Sequence, residues 1–177
     1  MKKINVCIAA LIVALFSAPA IATVYTYKFT MDGSQEVPPV VTGATGTCTV
    51  TLDDVANQVS ASCTYSGLSS NANNAHIHAG AVGVSGAPIV TLAFTAATSG
   101  TATATNAAIS GANVSAMIAG NTYINIHSVN HGTGEIRGQV AGLIPATSTW
   151  GLLALAILVI SAATLVLRPR RVTAIAN

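Results

Sequence analysis

Gly46-Thr47-Cys48-Thr49-Val50-Thr51-Leu52-Asp53, and then Gln58-Val59-Ser60-Ala61-Ser62-Cys63-Thr64-Tyr65, decide the fold class. In each run an apolar or sulfur-bearing residue alternates with Thr, Ser or another small polar residue. That is the period of a strand with one face in a core and the other in water. Asp53 to Asn57 lies between the runs and carries turn-forming residues, so the two strands make a hairpin. Setting Cys48 opposite Cys63 also sets Val50 opposite Ala61 and Leu52 opposite Val59, so one register satisfies both the apolar face and the cysteines. Opposed residues at a non-hydrogen-bonded position bring their Cβ atoms to about 4.5 Å, which a disulfide can bridge. A Cys48–Cys63 bridge is therefore expected.

The same texture extends outward. Tyr25, Tyr27 and Phe29 share one face of a first strand, and Asp32-Gly33 ends it. Pro38-Pro39 excludes regular pairing in the segment that follows. Val90, Leu92 and Phe94 mark another strand, and Thr122–Ser128 and Gly134–Val140 mark the last two, joined through Asn130-His131-Gly132. Ala112–Ala119 is the one plausible helix: Val114, Met117 and Ile118 fall at i, i+3 and i+4, and Gly120 is a fitting stop. Ala141–Pro145 reads as a spacer. The expectation is an all-β, antiparallel sandwich or barrel with one short helix.

Composition bounds the rest. Hydrophobic residues make up 51% of the 177 and charged residues only 7%, against about 25% charged in an ordinary soluble domain. Between Thr23 and Pro145 the cations are Lys28 and Arg137, against Asp32, Glu36, Asp53, Asp54 and Glu135. Nucleic acid is excluded as a partner, because phosphate recognition needs clustered Lys and Arg.

The two ends read as addresses. Met1–Ala22 has the form of a secretory signal peptide: Lys2 and Lys3, an apolar run from Val6 to Phe16, and Ala20-Ile21-Ala22 before the cut. Cys7 leaves with it. Trp150–Leu167 is an apolar stretch without a charge, closed by Arg168-Pro169-Arg170-Arg171, as expected of a transmembrane helix with its basic end in the cytoplasm. The division is a signal peptide at 1–22, a β-domain at 23–143, and a sorting motif, membrane helix and basic tail at 144–177. Ile144-Pro145, with Trp150-Gly151 and the span after them, resembles the IPTL-CTERM class of bacterial sorting signals. That resemblance implies cleavage by an exosortase-type enzyme. The expected location is the periplasm or cell surface, held at the membrane unless the tail is cut.

The chain lacks a nucleophile elbow, a phosphate loop, HExxH and CxxC, which leaves histidines to carry any chemistry. In His76-Ile77-His78 strand parity puts both imidazoles on one face with Ile77 on the other. In Tyr123-Ile124-Asn125-Ile126-His127 it puts Tyr123, Asn125 and His127 opposite Ile124 and Ile126. His131 stands in the next turn as a fourth candidate. Three neutral imidazoles suit copper or zinc, with affinity falling as pH drops through about 6.5. Arg137 is placed either to draw an anion to an open coordination position or to form a salt bridge with Glu36 or Glu135.

Four motifs occur in order: Ser34-Gln35-Glu36-Val37-Pro38-Pro39-Val40 followed by Gly46–Asp53, then Ala75-His76-Ile77-His78-Ala79-Gly80, Gly120–His127, and Gly134-Glu135-Ile136-Arg137-Gly138-Gln139-Val140. Together they resemble the chordin-type (CHRD) domain family, from Tyr25 to Val140. The resemblance implies an exported β-sandwich, immunoglobulin-like or a Greek key of the Cu/Zn-dismutase kind. It implies no fixed activity. His76, His78, His127 and Arg137 follow the order of ligands and arginine in Cu/Zn dismutases, while the bridging histidine and zinc aspartate have no counterpart. Two functions are expected: a non-enzymatic surface or matrix module binding an envelope protein or polysaccharide, or a copper- or zinc-binding protein with dismutase-like redox activity.

Overall fold

The computed structural model describes residues 23–141 and 143–144. The elements are β1 (Val24–Asp32), a 3-10 turn (Gly33–Gln35), β2 (Thr45–Asp53), β3 (Gln58–Ser66), β4 (Ala72–Ala79), β5 (Pro88–Thr91), β6 (Ala93–Phe94), β7 (Gly100–Ala108), α1 (Gly111–Ile118), β8 (Thr122–Ser128), β9 (Ile136–Gln139) and β10 (Leu143–Ile144). All pairings are antiparallel, in the order β5-β4-β8-β9-β1-β2-β3-β7-β6, with β10 on β1.

β2 and β3 pair with Cys48 opposite Cys63, Val50 opposite Ala61 and Leu52 opposite Val59. The cysteines are bonded, with Cα atoms 4.1 Å apart. The Asp53 carboxylate accepts the backbone N–H groups of Val55 and Ala56 at 3.0 and 2.8 Å, and Asn57 takes a left-handed φ of 53° to close the tip. Thr and Ser of this hairpin face outward, while Cys48, Val50, Leu52, Val59, Cys63 and Tyr65 are buried.

Two features fold the strand path into a sandwich-like arrangement. β9 meets β1 at a single pair, Asp32 with Arg137, which makes one corner. The outermost strands β5 and β6 belong to one segment, Pro88–Phe94, broken at Leu92. Leu92 turns its side chain into the core and donates its N–H to the Ala75 carbonyl at 2.9 Å. The arms β5-β4-β8-β9 and β1-β2-β3-β7-β6 thus enclose one core, in which Tyr27, Met31, Val50, Leu52 and Val59 of one arm pack with Ile77, Ile124, Ile126 and Ile136 of the other. Burying each such side chain contributes about 1.5–3 kcal/mol.

Three elements differ from the sequence expectation. β7 has no counterpart in it, because alternating Thr and Ala offers little hydrophobic contrast; its Ala102 is nonetheless fully buried opposite Cys63. The expected spacer contains β10, which pairs Leu143 and Ile144 with Tyr27 and Thr26, where β9 has already left β1. In α1, Ser110 caps the N-terminus and Gly120 (φ 74°) follows the C-terminus. Val114 and Met117 are buried, but Ile118 is 38% exposed, because so short a helix meets the sheet along a narrow line.

Among the described residues no helix is long and apolar enough to cross a membrane. The expected signal peptide at 1–22 and span at 150–167 lie outside those residues.

Candidate metal centre

β4 and β8 are neighbours, with Asn74 opposite His127, His76 opposite Asn125 and His78 opposite Tyr123. β9 lies on the other side of β8, with Arg137 opposite Asn125 and Gln139 opposite Tyr123. Ala75, Ile77, Ile124 and Ile126 point into the core. Parity then directs His76, His78, Tyr123, Asn125, His127 and Arg137 to the outer face.

That face is not open to solvent. Residues 80–87, the turn after β8 and the chain around Glu36 lie over it. His78 donates its Nδ1–H to the Gly86 carbonyl at 2.9 Å, and His127 donates its own to the Gly132 carbonyl at 3.0 Å. A carbonyl can only accept, so each imidazole keeps an unprotonated Nε2. His78 and His127 are 7% and 8% exposed, and His76 is half-buried.

Ring nitrogens of all three converge. His76 donates its Nδ1–H to His127 Nε2 at 3.2 Å, a proton that a metal would replace, while the buried His78 Nε2 has no hydrogen-bond partner. One donor atom from each of the three histidines lies within 4.8 Å of the others. A metal about 2.0–2.1 Å from each nitrogen holds them about 3.3–3.5 Å apart, so one pair is already in place and the third donor must close in. Burial holds all three imidazoles below the ordinary histidine pKa, opposed at His78 and His127 by the carbonyl bonds. They are therefore neutral near neutral pH, and proton competition begins below the pH of about 6.5 expected for free histidine.

Arg137 forms neither of the expected ion pairs. Its guanidinium, 2% exposed, donates to the carbonyls of Ala81 (2.9 Å) and Val84 (3.1 Å) and to Gln139 Oε1 (3.0 Å). Its Cζ sits 3.5 Å from the centre of the Tyr123 ring. His78 stacks on the same ring, with centroids 4.8 Å apart and planes 5° from parallel. Its donors serve the covering loop, where backbone carbonyls take the place expected of an anion.

The two buried glutamates differ. Burial raises the Glu135 carboxyl, but bonds from Ser128, the Ser69 backbone, Thr42 and the Ser69 hydroxyl outweigh that and leave it below the ordinary range. It ties the end of β8 to two distant loops. Glu36 accepts only the Asn125 amide among side-chain donors, at 3.3 Å, and its Oε1 is buried without a partner. Burial pushes its carboxyl up to about 7 against the Arg137 charge and the bonds from Val37 N–H and Asn125.

His131 is not in the cluster; its backbone N–H donates to the Ser128 carbonyl in the turn. Of the expected sorting motif, Ile144 lies in β10, and Pro145, Trp150 and Gly151 fall outside the described residues. The covering loops were not legible as part of the site, although two glycines carried a signal. A Cβ on Gly86 would lie 1.5 Å from the Ala79 carbonyl oxygen, and one on Gly134 (φ 131°) would lie 2.3 Å from the Asn125 amide. Only glycine allows so close an approach.

The family model of the CHRD domain matches residues 27–140, a span that holds all three histidines, the disulfide and both buried glutamates. No curated protein and no solved structure matches the chain.

Proposed function

The chain belongs to the CHRD domain family, and on that premise we propose an exported binding module, not an enzyme, whose ligand is a metal ion held by His76, His78 and His127. One observation carries the reading. His78 and His127 are each fixed by a carbonyl on Nδ1, which leaves a lone pair on each Nε2; that of His127 meets His76 Nδ1 at 3.2 Å, and that of His78 is buried without a partner. Such carbonyl bonds are the usual outer support of metal-binding imidazoles. An orphaned buried acceptor costs about 1–3 kcal/mol, which a bound metal would offset.

Copper is favoured over zinc by the divalent affinity order. A dismutase-like activity has less support, because the hydrogen bonds of Arg137 go to Ala81, Val84 and Gln139 and leave it poorly placed to guide an anion. The single strand path, whose two ends β5 and β6 lie on one segment, supports a flattened Greek-key barrel of the dismutase kind over an immunoglobulin-like sandwich. Export is supported by the disulfide, which persists in oxidising compartments, and by the leader-like sequence of residues 1–22. In this reading the apolar segment at 150–167 holds the domain at the membrane until an exosortase-type enzyme removes it, leaving it to meet envelope protein or polysaccharide.

The test of the metal reading is calorimetric titration of the full-length protein in detergent with Cu(II), Zn(II) and, without oxygen, Cu(I), beside His78→Ala and His127→Ala. A single tight site for at least one of these ions, lost in both variants, is the expected result; equal weak binding of every ion by all three proteins rejects it. Mass spectrometry of protein from the envelope tests the rest. An N-terminus at Thr23 is expected, and loss of the residues after Ile144 would establish tail cleavage.

A further inference from the structure

We infer that the three-histidine site selects Cu(I) over divalent ions. The inference rests on the metal reading above and adds the charge and coordination of its occupant.

The donor set is neutral. Among the described residues no carboxylate or thiolate joins His76, His78 and His127. The charge packed against the ring that His78 stacks on is the wrong one for a cation, the Arg137 guanidinium. The Glu36 carboxyl reaches the site only through Asn125, and both oxygens of Glu135 are taken by Thr42, Ser69 and Ser128. The cost of burying an ion grows with the square of its charge, so a dication costs about four times as much as a monocation of similar size. Its repulsion from Arg137 is also double. No anionic ligand in the cluster offsets that difference.

The coordination number points the same way. Zn(II) takes four ligands, and an imidazole-bound Cu(II) prefers a tetragonal set. Three imidazoles leave at least one position to water. Yet His78 lies against Tyr123, and His78 and His127 are pinned under loop carbonyls. Of the three histidines only the half-buried His76 offers a path to solvent. Cu(I), a filled-shell ion, is content with two or three neutral nitrogen donors and needs no water.

The experiment is anaerobic competition between the full-length protein in detergent and a chromophoric Cu(I) chelator, with matched competitions for Cu(II) and Zn(II). Cu(I) is expected to bind at least about a hundredfold more tightly than Zn(II) and more tightly than Cu(II), and to be lost in His78→Ala and His127→Ala. Zn(II) or Cu(II) matching or exceeding Cu(I) overturns this inference and leaves the metal reading standing. Failure of all three ions to bind overturns both. Cu(I) binding unchanged in both variants places the ion elsewhere and also overturns it.

Discussion

The β2–β3 hairpin and the β4–β8 pair are written in the same alphabet of alternating residues, and the structure uses their outer faces oppositely. In the hairpin the inner face holds Val50, Leu52, Val59 and the disulfide, and the outer Thr and Ser side chains meet solvent. In the other pair the inner face is just as apolar, but every residue of β8 is buried on both sides. Alternation therefore reports which way a side chain points. What covers the outer face is a separate, tertiary fact, here supplied by loops that reach across with backbone carbonyls.

The largest expected effect tests that asymmetry directly. Asn125→Lys puts a charge beneath the covering loops beside Arg137, and urea denaturation should register a loss of about 3–5 kcal/mol or outright unfolding. Ser62→Lys, on an outward position of the hairpin, should stay within about 0.5 kcal/mol. Similar losses for the two would mean that the outer face of β8 is open.

Next in size is the disulfide. It closes a separation of 15 residues, and replacing both cysteines with alanine should lower stability by about 3 kcal/mol. Copper affinity measured on the same protein should not change. A parallel loss of metal binding would join regions that this account keeps apart.

The two glutamates provide smaller steps. Glu135→Gln weakens a carboxylate with four donors and should cost about 1–3 kcal/mol in thermal or urea denaturation. Glu36 should do the reverse. Its folded-state pKa is raised from 4.5 to about 7, so the folded state holds the proton more tightly than the unfolded one. Its contribution is complete below pH 4.5 and is eroded as pH rises toward 7. Glu36→Gln should flatten that decline and stabilise the protein by about 1–2 kcal/mol at pH 8. A wild-type stability that rises through this window, with the variant following it, would contradict the assignment.

How much was legible follows from where the information sits. The hairpin register and the cysteine bridge are local: two apolar pairs and two thiols agree on one alignment. The shared face of His76 and His78, and the outward face of His127, were equally local. That β4 and β8 are neighbours was not, since their residues are far apart in sequence and the strands between them, β5 to β7, include one made of Thr and Ala. Arg137 was legible as important and misread as to partner, because backbone carbonyls leave no mark in a sequence. Glu135 and Glu36 look alike as letters; only the donors from Thr42, Ser69 and Ser128 separate a satisfied carboxylate from an unsatisfied one.

X-ray absorption at the copper edge, on full-length protein loaded with one equivalent of copper, reads the ligands themselves. Three nitrogen neighbours at about 2.0 Å with the outer-shell scattering of imidazole rings are expected, falling to two in His127→Ala. Copper bound mainly through oxygen or sulfur, or a spectrum unchanged in that variant, would contradict the three-histidine site.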